Sequence, residues 1–141
     1  MTAAWLHRLG RWTWRDYALL GEVFAAALLV EIAIRSMSMV TILRVIDRVP
    51  ASRRPADATT LDASRLARFA AGPYRLLALH GTCLRESLVL STLLRRRDVP
   101  AAVCFGVRHE GGLTAHAWVA TPGIPTDAGT LFHELRGAWS D

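Results

Sequence analysis

Residues 100–121, Pro-Ala-Ala-Val-Cys-Phe-Gly-Val-Arg-His-Glu-Gly-Gly-Leu-Thr-Ala-His-Ala-Trp-Val-Ala-Thr, decide how this chain folds. Ala101 to Arg108 alternates and is rich in β-formers, with Val103, Phe105 and Val107 on one face. Leu113 to Thr121 reads as a second strand, and Glu110-Gly111-Gly112 between them as a turn. Pro122-Gly123 then offers Pro at the first and Gly at the second central position of another turn.

Upstream, the apolar period is helical. From Trp14 to Val49, Leu19, Leu20, Val23, Phe24, Ala27, Leu28 and Val30 recur at helical spacing, with a break near Ser36 to Ser38. Glu31 and Arg35 form a supportive i, i+4 pair, and Pro50 ends the pattern. Asp62 or Ser64 caps a further helix carrying Leu66, Phe69 and Ala70, stopped by Gly72-Pro73. Another starts at Thr82 or Cys83 and carries Leu84, Leu88, Leu90 and Leu94 as far as Arg97. Helices first and antiparallel strands later define an α+β fold. The expected division is a helical extension over 1–50, a linker over 51–60 and a core over 61–141, together one compact domain.

Composition narrows the function classes. With 141 residues, 52 % apolar and 21 % charged, the chain has room for one hydrophobic core and does not read as disordered. Its net charge is +5 and all 17 basic residues are Arg, which reflects genomic base composition more than function. The excess steers acidic peptide partners, whereas no basic stripe interleaved with aromatics suggests nucleic acid. Arg95-Arg96-Arg97 reads as a solvated helix end favoured by the dipole. Two cysteines are too few for a disulfide framework, so a reducing cytosol is expected. Trp5, His7, Arg8, Arg11 and Trp12 interrupt any signal-peptide core. The longest uncharged stretch in the first helix, Val23 to Val30, falls short of a bilayer span, so a buried or surface-lying helix is expected.

The chemistry rests on Cys83, His116 and Asp127. In Thr82-Cys83-Leu84-Arg85-Glu86-Ser87 the thiol opens a helix, where free backbone N–H groups and the positive macrodipole end favour thiolate. A lone Cys there is as readily a packed thiol, so a general base is required. His116 shares a strand face with Thr114, Trp118 and Ala120. If Pro122-Gly123 closes a two- or four-residue hairpin loop, Asp127 comes opposite Trp118 and diagonal to His116; a three-residue loop sends it to the other face. The thiolate is then the nucleophile, the imidazole shuttles its proton, and the carboxylate fixes the imidazole tautomer. The backbone N–H of Cys83 belongs to the expected oxyanion hole, and Trp118 lines the cleft or simply packs. A helix-start Cys, a strand His and a carboxylate on the next strand are the ordered parts of a papain-like or transglutaminase-like core.

Four motifs in order, Cys83-Leu84-Arg85-Glu86-Ser87-Leu88, Leu93-Leu94-Arg95-Arg96-Arg97, Phe105-Gly106-Val107-Arg108 and His116-Ala117-Trp118-Val119, resemble the transglutaminase-like leader peptidases of lasso peptide biosynthesis. The resemblance covers roughly residues 60–130 and implies a cysteine protease that removes the leader from a ribosomally made precursor peptide, with no cofactor. It assigns Cys83, His116 and Asp127 to the triad, and implies a separate ATP-dependent macrolactam cyclase acting afterwards. Ala120 stands where that family often has an acidic residue, and the interval from His116 to Asp127 is one residue shorter than the resemblance leads one to expect. No winged-helix pattern precedes Trp14, so a separate leader-binding protein is the expected partner. Two rival readings keep part of this: acyl transfer to an amine by the same triad, or a binding scaffold without catalysis.

Other reactive side chains read as structural. Cys104 packs in an apolar strand. Cys83, Cys104, His109 and His116 lack the spacing of a zinc set, so no metal is expected. His80 sits in a loop; His7, His109 and His133 read as surface residues. Trp5, Trp12 and Trp14 among Arg8, Arg11 and Arg15 suit a partner, a membrane surface or simple packing.

Overall fold

The computed structural model describes residues 13–50, 63–77, 83–109, 111–121 and 133–134. Within them, helices α1 (Trp14–Ser36), α2 (Met39–Asp47), α3 (Ala63–Leu76) and α4 (Cys83–Arg95) precede strands β1 (Ala102–His109), β2 (Leu113–Ala120) and β3 (His133–Glu134). This is the α+β order that the alternating and helical periods predict.

Local chemistry explains the helix boundaries. The Asp16 carboxylate accepts the Thr13 amide and hydroxyl, each at 2.8 Å, which fixes the start of α1. The expected break falls at Met37 and Ser38, both extended, and Ser38 Oγ accepts the Thr41 amide at 3.4 Å to open α2. One boundary differs from expectation: Gly72-Pro73 does not stop α3, which runs on to Leu76, with the Leu77 amide donating to the Pro73 carbonyl at 3.1 Å. The clash that usually drives the residue before proline out of helical geometry involves that residue's Cβ, and Gly72 has none. At the end of α4, Asp98 adopts a left-handed φ of 59°. The Asp98 amide donates to Arg95 at 3.0 Å and the Val99 amide to Leu94 at 3.0 Å, a Schellman closure with Asp where glycine is usual.

The main core joins all four helices. Val23, Ala26, Ala27 and Val30 of α1 meet Ile42 and Ile46 of α2, Ala70 and Tyr74 of α3, and Leu88, Val89 and Leu93 of α4. Burying each large aliphatic side chain here contributes about 1.5–3 kcal/mol. The buried face of α1 is not quite the one its apolar spacing suggests, because Phe24 and Leu28 lie on its exposed side. Its 23 residues include an 18-residue window whose mean hydropathy, 2.0, reaches that of a membrane-crossing helix, beyond what the uncharged stretch alone suggests. Its two inner acids are nevertheless bound to α4: Glu22 pairs with Arg97 at 2.8 Å and Arg96 at 3.3 Å, and Glu31 pairs with Arg85 at 2.6 Å. Glu31 also meets Arg35 at 3.5 Å, the expected helical pair.

The arginine run is therefore not a solvated helix end. Besides the two contacts to Glu22, Arg95 reaches Asp47 at 2.7 Å and donates to the Ala101 carbonyl at 3.2 Å. Arg96 and Arg97 thus tie α1 to the end of α4, and Arg95 ties α2 to it. Sequence separations of 75 residues for Arg97 and Glu22, and 48 for Arg95 and Asp47, put those partners beyond any local pattern.

The sheet has the order β2-β1-β3 and is antiparallel throughout. β1 and β2 pair from Ala102↔Ala120 to His109↔Leu113, closed by a tight loop in which Gly111 and Gly112 take φ of 68° and 147°. Val103 packs on the main core, and Val119 on a second cluster of Leu66, Leu94 and Ala101. β2 lies at the described edge of the sheet, and α4 packs more extensively on it than on β1.

Candidate active site

Cys83 is the first residue of α4, half-buried and free of any disulfide. This is the helix-start position the sequence predicts, with Glu86 in the same first turn. Below it, Ser87, Leu88 and Val89 are buried, so the thiol stands at the end of a rigidly packed helix. Arg85 clamps the same turn to α1 through its 2.6 Å contact with Glu31.

His116 lies in the middle of β2, half-buried and opposite Gly106. Its ring stacks near that of Trp118, with centroids 6.3 Å apart and planes inclined by 17°. The alternation that puts both on one face is thus as expected. Trp118 and Ala117 are both buried, so β2 is covered on each face at its centre. Trp118 stands opposite Cys104, which is half-buried and in no disulfide, and Gly106 leaves the space beside His116 without a side chain. His109, at the far end of β1, is exposed, as a surface residue should be.

Cys83 and His116 thus lie on two elements that pack on each other, α4 and β2. Among the described residues no hydrogen bond joins the Cys83 thiol to His116. Contacts between nucleophile and base are commonly long before substrate binds. Asp127, with the Pro122-Gly123 turn that sets its register, lies outside the described residues, as do Thr82, His80, His7, Trp5 and Trp12. Among the described residues no group of His, Cys, Asp and Glu has the arrangement to hold a metal ion.

Two features near the site escape a reading of the sequence. Glu134 pairs with Gly106, which pairs with His116, so a second carboxylate-bearing residue shares the cross-strand row of the histidine. A two-residue strand that returns to β1 carries no periodic signal by which to find it. The other is Tyr74, nearly fully buried on α3, whose hydroxyl has no hydrogen-bond partner among the described residues. Burial, then the negative charge of Glu31, push this phenol up to about 12, with Glu86 adding and Arg85 opposing.

This arrangement is matched by a family model. Residues 24–135 match the model of the transglutaminase-like superfamily, and the chain belongs to that superfamily. Its members are in general cysteine proteases and acyltransferases. No curated protein and no solved structure matches the chain.

Proposed function

We propose that the protein is a cysteine peptidase that removes the leader from a ribosomally made lasso-type precursor peptide, using Cys83, His116 and Asp127. The observation that supports this reading is that Cys83 opens α4, a helix that packs on the strand bearing His116, inside the matched region. The Cys83 thiolate attacks the carbonyl of the scissile bond and forms a thioester. His116 passes the proton to the leaving amine and then activates water, while Asp127 holds the ring in the required tautomer. The Cys83 backbone N–H donates to the developing oxyanion, and Trp118 keeps water from the ring face. A separate leader-binding protein presents the precursor, and an ATP-dependent cyclase closes the macrolactam on the freed amine. Two free cysteines suit a reducing cytosol.

The experiment is incubation of purified protein with precursor peptide and leader-binding partner, read by mass spectrometry. Free leader and a new N-terminus are expected, with both lost in Cys83→Ala. A crosslinked product in place of a hydrolysed one would instead assign acyl transfer.

A further inference from the structure

Among the described residues, an open groove between α1 and α3 takes no part in the cleavage chemistry. It encloses about 380 Å³ and is lined by Phe24, Ala27, Leu28, Pro73, Tyr74 and Leu77. Leu28 and Leu77 are 62 % and 64 % exposed, so its apolar rim is open to solvent. Glu31 alone among the described lining residues is charged. Its carboxylate lies 2.6 Å from Nε of Arg85, two residues beyond Cys83. From helix rise and the reach of an arginine side chain, the Glu31 end of the groove lies within about 15 Å of the thiol. An extended peptide covers that distance in about three or four residues.

Size and chemistry select the occupant. The volume sits at the small end for ligand sites and suits one or two aliphatic side chains. Exposed leucines at the rim of a concave apolar surface mark a site that is completed by an apolar partner. In thioester chemistry the amine side of the peptide departs first, whereas the acyl side stays through both steps. Contacts to the acyl side therefore hold the peptide during attack and during hydrolysis.

We propose that this groove binds an apolar side chain of the peptide substrate, three or four residues N-terminal to the scissile bond. The inference rests on the peptidase reading of Cys83 and adds a substrate preference to it.

The test uses peptidyl vinyl sulfones that label Cys83, with Leu or Asp at the third and fourth positions from the reactive group, and a single-residue glycyl vinyl sulfone for comparison. Leu probes are expected to label at least about tenfold faster than Asp probes. Leu28→Asp and Leu77→Asp, both surface substitutions checked by an unchanged melting temperature, are expected to abolish that preference. Ile32→Asp, an equally exposed position of α1 outside the groove, is expected to keep it. Equal labelling by Leu and Asp probes overturns the groove assignment, as does a preference that survives both groove variants or is lost in Ile32→Asp. So does Leu28→Asp abolishing sedimentation with phosphatidylglycerol vesicles while leaving probe preference intact, which would make the face a lipid contact. If the glycyl probe labels Cys83 and no preference appears, the groove alone is wrong; if no probe labels Cys83, the peptidase reading fails with it.

Discussion

Arg85 lies 2.6 Å from Glu31, so the helix that begins with Cys83 is fastened at its first turn to α1. Both side chains are mostly shielded from water, at 31 % and 16 % exposure. Removing one partner leaves a charge poorly solvated, whereas removing both does not. Glu31→Gln and Arg85→Gln are each expected to lower stability by about 1–3 kcal/mol, and the double variant by less than their sum. Urea denaturation of the four proteins measures the coupling.

The Glu22 carboxylate holds Arg96 and Arg97 together, joining the start of α1 to the end of α4. Glu22→Gln should cost about 1 kcal/mol, less than Glu31→Gln, because Glu22 itself is more exposed than Glu31 and one of its two partners, Arg96, is half exposed and screened. Raising the salt concentration should shrink the loss for Glu22→Gln more than for Glu31→Gln.

Asp98 is a non-glycine residue in left-handed backbone at the close of α4. Asp98→Gly removes the steric cost of its Cβ and should stabilise the protein by about 0.5–1 kcal/mol. A thermal melt showing no gain, or a loss, would place that cost elsewhere.

The buried Tyr74 phenol predicts a specific alkaline limb of stability. An unfolded tyrosine loses its proton near pH 10, whereas the folded one keeps it up to about 12. The folded state therefore holds more protons in that interval, and its stability is intact below pH 10 and falls between pH 10 and 12. The slope approaches about 1.4 kcal/mol per pH unit. Tyr74→Phe deletes the unpartnered hydroxyl, so it should be neutral or slightly stabilising at pH 7 and should flatten the limb. Denaturation midpoints from pH 8 to 12 supply the comparison.

Much of this fold is legible in the sequence because helix and strand periods are local. The break at Ser36 to Ser38, the Gly111-Gly112 loop and the shared face of His116 and Trp118 all follow from spacing within a few residues. What is not legible is non-local. Arg95 to Arg97 look solvated until α1 and α2 fold back on them, and Phe24 and Leu28 fit the apolar spacing of α1 yet face outward. Pro73 misleads for a different reason, since part of its usual clash with the preceding residue involves a Cβ that Gly72 lacks. For the candidate site, the helix-start position of Cys83 and the strand position of His116 are legible in the sequence. The position of a candidate carboxylate is not, because strand register depends on one loop residue.

That carboxylate has two candidates in reach of separate tests. With Asp127 as the orienting acid, Asp127→Asn should lower the cleavage rate by about 10²–10⁴. Glu134→Gln, in the same row as His116 but two strands away, should change it less than about tenfold. The opposite ranking would move the role to Glu134.

Selective alkylation of the two free thiols tests the role of Cys83 most directly. With substoichiometric iodoacetamide at pH 7 and peptide mapping, Cys83 should be modified at least about tenfold faster than Cys104, and His116→Ala should remove most of that advantage. Equal labelling of the two cysteines, or a Cys83 advantage untouched by His116→Ala, would contradict a Cys83–His116 catalytic pair.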